Sequence, residues 1–447
     1  MKTKKKEIAE MKTKCLVFIL LVSLLLSSCG SIGASRPSEE SHDIIESETG
    51  RFLPVSPMIS ENRISVYRHH LNVYFTLSET GIYSITRNDN GTFAVYCDKH
   101  ADQFVRVCSR PDCTHTDANC DAFLDDSSYP PLGYYKGKLY YIKRGQASII
   151  TTVGGESYGI APAELWEMDT DGRNKRLVTT CWEEGENIIG YMGITYTNGY
   201  VDGVFVKVDE NGTTEYVHRY TSLDHPGIFL ETEASKQFSP GDFFSNGDIL
   251  HSDGDTIIVQ DSVIRLNPQK ADNREYFSLY AWDPIENSLR YIGDRPYTQG
   301  YFGEKTAYIV EEGIVKQWNY QSYTDIALFD TGIKTSVSLD VFPDCLVVSD
   351  TYLYKDLLND MWKPEDVKNA TLRFYDWNYT FLGECQLSFD KEQPQYGNYI
   401  FGETEDRILL VKDGFAKKPD YYIEKSDFVS GKITLHEYHY PETDSLE

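Results

Sequence analysis

Apolar runs long enough to cross a membrane are missing from this chain of 447 residues. The strongest, Leu16 to Leu26, falls short of the ~20 residues that a spanning helix needs. Basic charge is also in short supply: 43 Lys plus Arg face 69 Asp plus Glu, a formal net charge of −26. A field of that sign repels nucleic acid and anionic headgroups, which removes both as partners of the body. No long acidic block stands out, so the charge reads chiefly as a means of solubility, although it also favours cationic partners or divalent ions. Cysteine is scarce, at nine residues, too few for a fold built mainly from disulfides. No Gly-x-Ser-x-Gly elbow, Walker loop, His-Glu-x-x-His pair or dinucleotide fingerprint is read in the sequence, so no motif of that kind names an enzyme class. Carboxylates are too numerous to single out a glycosidase pair.

What is present begins with an address. Lys2, Lys4, Lys5, Lys6, Lys12 and Lys14 precede the apolar run, and Leu26-Ser27-Ser28-Cys29-Gly30 follows it, the order of a basic region, a short hydrophobic region and a small-residue cleavage site. Met11-Lys12-Thr13-Lys14 repeats Met1-Lys2-Thr3-Lys4, so either methionine could be the start without changing this reading. Leu26-Ser27-Ser28-Cys29 resembles the lipobox of bacterial lipoproteins. That resemblance implies residues 1–28 as signal peptide, diacylglycerol and palmitate on Cys29, and lipid anchoring to the outer face of the bacterial cell membrane. Without the leader's six Lys and two Glu, the balance is 37 against 67. Residues 29–51 are rich in Ser, Glu, Gly and Pro and read as a flexible, disordered tether spanning about 25 Å.

The body, residues 52–447, carries 33 Tyr and 21 Phe among Asn-Gly and Asp-Gly pairs, the chemistry of strands and tight turns. A unit recurs in which a short strand ends on an aromatic or aliphatic residue followed by Asp. Its clearest copy is Gly137-Lys-Leu-Tyr-Tyr-Ile142, then Leu165-Trp-Glu-Met-Asp169-Thr-Asp-Gly172-Arg-Asn174 and on to Val178. The ending returns at Asp283, Asp330 and Asp376, and more weakly at Asp98, Asp209 and Asp427. Seven marks spaced on average by about 55 residues predict an all-β chain folded as a single β-propeller. The expected ring has about seven four-stranded blades, six or eight fitting the spacing almost as well. Repetition has a physical cause: one four-stranded sheet cannot bury both faces, whereas radial stacking covers them. Partner strands are expected at Thr256–Val259, Thr306–Val310, Leu346–Val348 and Arg407–Val411.

The Gly137 to Val178 segment resembles the bacterial propeller domain that is similar to the low-density-lipoprotein-receptor β-propeller. The Cys108 to Phe123 segment is similar to a motif of surface lipoproteins of anaerobic gut clostridia that carry no assigned activity. Together these resemblances imply a fold and a location.

Soft ligands converge in one place. Cys108, Cys113, His115 and Cys120 fall within thirteen residues, with Cys97 just upstream, in what reads as a Cys/His-rich loop over 97–123 inserted between two blades. Three thiols and an imidazole suit a structural zinc ion. Disulfides among Cys97, Cys108, Cys113 and Cys120 are the alternative for an exported chain, and buried thiols are the third. Cys181, Cys345 and Cys385 sit in strand-like sequence and read as core. Asp169-Thr-Asp171-Gly172-Arg-Asn174 lacks the spacing of a calcium loop and reads as a hairpin turn with Gly172 at positive φ, as do Asn88 to Gly91 and Asp209 to Gly212. His69, His70, His436 and His439 lie near the two ends of the body, where ring closure could bring them together; exposed strand positions are the simpler reading.

The function expected is a binding or scaffolding module at the cell envelope in preference to an enzyme, a question the sequence leaves open, with no catalytic residue nominated. Its partners are the membrane through Cys29 and a carbohydrate, peptide or protein, with no nucleic acid. Insertions at Arg144 to Glu164, Leu266 to Tyr276 and Tyr352 to Asn369 would enlarge a loop face. Two alternatives are a surface hydrolase or lyase with its site in the central channel, and a purely structural assembly partner.

Overall fold

The structure, a computed structural model, describes residues 75–441 apart from short stretches, the longest being 234–247, 351–368 and 389–399. Seven antiparallel sheets, each built on four strands, follow one another along the chain and form a seven-bladed β-propeller; Phe123–Asp125 and Arg265–Leu266 add a short fifth strand to the first and fourth. Blade 1 comprises Phe75–Leu77, Gly81–Asn88, Gly91–Asp98 and Val105–Arg106, and blade 2 comprises Leu132–Tyr135, Lys138–Arg144, Ala163–Asp169 and Arg176–Thr180. Blade 3 is Ile188–Thr197, Tyr200–Val208, Thr214–Ser222 and Leu230–Glu231; blade 4 is Asp248–Asp253, Thr256–Gln260, Glu275–Asp283 and Ser288–Pro296. Blade 5 is Gly300–Phe302, Ala307–Glu311, Ile314–Asn319 and Thr324–Asp330; blade 6 is Val337–Val341, Leu346–Asp350, Asn369–Tyr375 and Phe381–Ser388. Blade 7 is Ile400–Glu403, Arg407–Leu410, Tyr421–Glu424 and His436–Glu437. The four partner strands expected from sequence are the second strands of blades 4, 5, 6 and 7.

Burial runs outward through each blade. All four residues of Leu132–Tyr135 are buried, whereas none of Arg176–Thr180 or Thr324–Asp330 is. First strands therefore line the axis and fourth strands form the rim. Between blades lie seven apolar clusters among the described residues, one for each junction. Alternation along a strand divides its side chains between two junctions. In blade 5, Tyr308 and Val310 face blade 6, while Ala307 and Ile309 face blade 4. In blade 7, Ile408 and Leu410 face blade 6, and Leu409 faces blade 1. This two-sided burial explains why these strands are continuous apolar runs without polar alternation. Each large apolar side chain so buried contributes about 1.5–3 kcal/mol.

The recurrent Asp has a definite task at the turn after the third strand. The backbone N–H of His100 donates to Asp98 Oδ1 (2.9 Å), that of Ile285 to Asp283 Oδ1 (2.8 Å), and those of Asn378 and Thr380 to Asp376 Oδ1 (2.8 and 2.7 Å). Such a side chain replaces a missing backbone partner and sets the hairpin. Two marks are misplaced in the sequence reading, although the blade count is right. Asp330 closes the fourth strand of blade 5, and the strand before Asp209 is the second of blade 3. In blade 5 the turn residue is Asn319, whose Oδ1 accepts from Gln321 and Ser322 N–H at 2.9 Å each.

Among the described residues, the ring closes without exchanging a strand between blades. Phe104 N–H donates to His439 O and His439 N–H to Asp102 O, both at 2.8 Å, in a parallel bridge centred on Gln103. The Phe104 ring, fully buried, stacks on Tyr440 at 4.4 Å and meets Tyr438 edge-on at 5.3 Å. Residues 1–74, including Cys29, the tether, His69 and His70, lie outside the described residues, as do Asp209 to Gly212 and nearly all of the expected insertions at Leu266 to Tyr276 and Tyr352 to Asn369. Within the insertion Arg144 to Glu164, Ile149–Val153 and Glu156–Ile160 pair as a two-stranded hairpin.

Candidate metal centre

The Cys/His loop is inserted into blade 1 rather than between blades. Its flanks, Val105–Arg106 and Phe123–Asp125, both pair with the third strand of blade 1, at Val95–Tyr96 and at Thr92–Phe93. Residues 107–122 are thus an excursion inside the outermost strand, leaving and rejoining the same edge. The excursion is a succession of tight turns: Cys113 N–H donates to Arg110 O (3.3 Å), Cys120 N–H to Asp117 O (3.0 Å) and Phe123 N–H to Cys120 O (3.1 Å). His115 has a φ of +58°, the left-handed region that L-residues enter at a cost of about 1–2 kcal/mol. Asn90 Nδ2 donates to Thr116 O (2.8 Å), tying the far end of the loop to the Asn88–Gly91 turn. That turn is the expected two-residue hairpin, with Gly91 at φ +140°.

These turns bring the sulfurs of Cys108, Cys113 and Cys120 and a ring nitrogen of His115 within 4.8 Å of one another, a set that could hold a metal ion. His115 Nδ1 stands 3.5 Å from Cys120 Sγ. Around a tetrahedral zinc ion with ordinary bond lengths, a sulfur and an imidazole nitrogen lie about 3.6 Å apart and two sulfurs about 3.8 Å apart. Donors surround the sulfurs as well. His115 N–H and Arg110 Nη2 each point at Cys113 Sγ at 3.4 Å, and Arg110 also donates to Asn119 O. For the Cys108 thiol, burial alone would raise its pKa. The backbone N–H groups of Arg110 and Asp121 and the thiols of Cys113 and Cys120 outweigh that and hold it below the ordinary value. Cys120 is pushed up to about 12, first by burial. Were all four donors to ligate one zinc ion, they would fill its tetrahedral shell.

Cys97 does not join the group. It is fully buried in the cluster between blades 1 and 7, whereas Cys108, Cys113 and Cys120 pack at the junction of blades 1 and 2. Its thiol donates to Ala101 O (3.5 Å), and burial pushes its pKa up to about 12. Cys181, Cys345 and Cys385 are core residues with thiols raised by burial, as expected. Asp169 to Asn174 forms the hairpin turn between the third and fourth strands of blade 2, with Gly172 at φ +85°. His436 stacks on Tyr422 at 5.0 Å, and the backbone of His439 closes the ring.

Other polar constellations escape a reading of the sequence. In blade 3, Asp202, fully buried, accepts from Thr195 Oγ1 (2.7 Å) and pairs with His218 Nε2 (3.2 Å), while His218 Nδ1 lies 3.1 Å from Thr232 Oγ1. No spacing announces this network, because its members come from four strands or their flanks. The expectation that no Gly-x-Ser-x-Gly motif occurs is wrong as to the string, since Gly155-Glu156-Ser157-Tyr158-Gly159 has that spacing. A nucleophile elbow requires a strand-to-helix turn; here Ser157 lies inside the strand Glu156–Ile160 and is paired with Thr152. A cavity of 360 Å³ opens near the junction of blades 1 and 7, lined by Lys99, Arg407, Glu424 and Lys425 among others. Arg407 is engaged by Glu424 (3.0 Å), and Lys425 by Glu403 (2.7 Å) and Asp344 (2.8 Å).

No family model matches the chain, and no curated protein matches it. Among solved structures it is similar to a candidate 6-phosphogluconolactonase from Bacteroides uniformis, at 13% identity over 84% of this chain and 95% of that one, with a TM-score of 0.37. An oligogalacturonate lyase in complex with manganese shares 11% identity over 63% of this chain and 74% of that one (TM-score 0.32). A nidogen/laminin complex shares 10% identity over 58% of this chain and 79% of that one (TM-score 0.27). At these scores the likenesses carry no argument about activity, and the propeller assignment rests on strand pairing.

Proposed function

We propose that this chain is a lipid-anchored propeller held through Cys29 at the outer face of a bacterial membrane, where its loop faces bind a carbohydrate, peptide or protein. The observation that carries this choice over an enzyme is the lining of the axis. Among the described side chains of the first strands there is no His, Lys or Arg, and Phe75, Leu132, Tyr134, Tyr196, Phe302, Leu339 and Ile400 are all buried. The carboxylates there are Asp340 and Glu403, at 4% and 1% exposure, and Glu403 accepts from Lys425. A channel enzyme would need acids, bases and cations converging from several blades. The Cys/His cluster is assigned to structure: its donor set suits zinc, and its closed shell excludes turnover.

Anchoring is tested by labelling cells with a palmitate analogue. The wild-type chain takes up label and partitions into detergent, whereas Cys29→Ala does neither; equal labelling of both would sink the anchor. Binding is tested on glycan and peptide arrays with the mature protein, and the absence of any specific binder overturns the module.

A further inference from the structure

We infer that a zinc ion held by Cys108, Cys113, His115 and Cys120 is the clamp that docks the outer edge of blade 1 onto blade 2, through the turn at Gly172 and the side chain of Lys175. This rests on the zinc reading above and adds a mechanical role for the ion. The docking is visible in the contacts of that turn. A Cβ placed on Gly172 would lie 2.4 Å from Val107 O and 2.6 Å from Asp121 O. Val107 and Asp121 directly adjoin the first and last ligands, Cys108 and Cys120, so the ligand shell fixes the separation of the two carbonyls between which Gly172 sits. Three residues on, Lys175 Nζ donates to Phe123 O (2.7 Å), at the point where the loop rejoins the sheet. Beneath the loop, Val107, Cys120, Ala122 and Leu124 pack with Leu139, Tyr141 and Met168 of blade 2.

Charge supports the same assignment. Three thiolates and a neutral imidazole around a zinc ion carry a net charge of about −1, which a partly desolvated site must balance. Arg110 Nη2 stands 3.4 Å from Cys113 Sγ, and Arg110 Nε lies 3.6 Å from Asp121 Oδ1, which places one guanidinium beside the ligand set. The backbone N–H of His115 points at Cys113 Sγ at 3.4 Å, a donor of the kind that supports a zinc-bound sulfur. Ala94 holds both ends of the loop, through Val107 N–H (3.0 Å) and Ala122 O (2.8 Å), but between them 108–121 has few apolar residues, a left-handed His115 and only turn hydrogen bonds to order it without the ion.

The experiment uses the full chain extracted in detergent. Elemental analysis measures zinc per chain, and hydrogen exchange followed by mass spectrometry compares the protein before and after treatment with a strong zinc chelator. The expected result is one zinc per chain, lost in Cys113→Ser and His115→Ala. Removal of zinc then speeds exchange in residues 107–125 and also in 168–176, while Ala307–Asn319 in blade 5 is unchanged. A change confined to 107–125 overturns the clamp but leaves the zinc. Zinc-free protein in which non-reducing alkylation leaves the three cysteines oxidised, or alkylates them all, overturns both. Gly172→Ala keeps all four ligands yet forces the carbonyls apart, and is expected to raise the zinc concentration for half-saturation about tenfold, as for lost support of a ligand shell. Lys175→Met tests the same coupling without backbone strain and shifts half-saturation in the same direction; unchanged zinc affinity in both variants overturns the clamp.

Discussion

Replacing Phe104 with Ala probes whether the ring is held shut at one seam. Phe104 has no solvent exposure, stacks on Tyr440 at 4.4 Å and meets Tyr438 at 5.3 Å, and its cluster joins Phe75, Ile82 and Val95 of blade 1 to Leu409 and Tyr422 of blade 7. Truncating a fully buried Phe costs about 3–5 kcal/mol, from lost transfer energy and the cavity left behind. The two aromatic pairs, at about 0.5–1.5 kcal/mol each beyond their area, place this site at the upper end. The backbone bonds between Phe104, His439 and Asp102 remain available to the variant, so the loss reports side-chain packing. Urea unfolding followed by tryptophan fluorescence measures the cost. Hydrogen exchange of residues 436–441 measures where it falls. Phe374→Ala, equally buried but in the core between blades 6 and 7, is the control: a similar loss of stability, with exchange raised at that junction instead. A cost below about 1 kcal/mol for Phe104→Ala, or unchanged exchange over 436–441, refutes the seam.

Two further outcomes follow from buried polar groups. His218→Leu removes a partner from the fully buried Asp202 and is expected to cost about 3–5 kcal/mol in urea unfolding; adding Asp202→Asn recovers part of that loss, and a single variant as stable as wild type would contradict the network. Asp350 has its pKa raised by burial, against the lowering pull of the Thr371 N–H that donates to it at 2.5 Å. A carboxyl raised in the folded state costs stability above its folded pKa. That cost is relieved as the pH falls through the folded pKa toward the unfolded value of about 3.9. Asp350→Asn is therefore more stable than wild type at neutral pH, with the difference closing as pH approaches about 4; a difference that does not vary with pH refutes the assignment.

The ring was legible because burial on both faces leaves a mark in sequence. Ile408-Leu409-Leu410 and Leu346-Val347-Val348 are uninterrupted apolar runs because successive side chains fill different junctions. The turn after the third strand was legible because it needs a short side-chain acceptor, supplied by Asp98, Asp283 and Asp376. Asp330 misled because a fourth strand can also end on Asp, where Oδ1 accepts from Gly332 N–H (2.7 Å). Asn319 does not fit a pattern defined by a carboxylate, yet any Asx oxygen serves at this turn.

The metal centre shows the opposite balance between local and distant information. Its four donors lie within thirteen residues, so the sequence can nominate them, yet proximity alone does not distinguish Cys97 from them. Strand geometry separates it: on Gly91–Asp98, Val95 and Cys97 face blade 7, while Ala94 and Tyr96 face blade 2, where the cluster lies. The counterpart surface is more than fifty residues away, at Gly172 and Lys175, and was legible only as a hairpin turn. That turn carries two constraints at one glycine: the positive φ of its own hairpin and the close approach of two carbonyls from blade 1. The first constraint alone would also admit Asn; the second admits no side chain. Exchanging Gly172 for Asn separates them, since a hairpin role tolerates the change and a docking role does not.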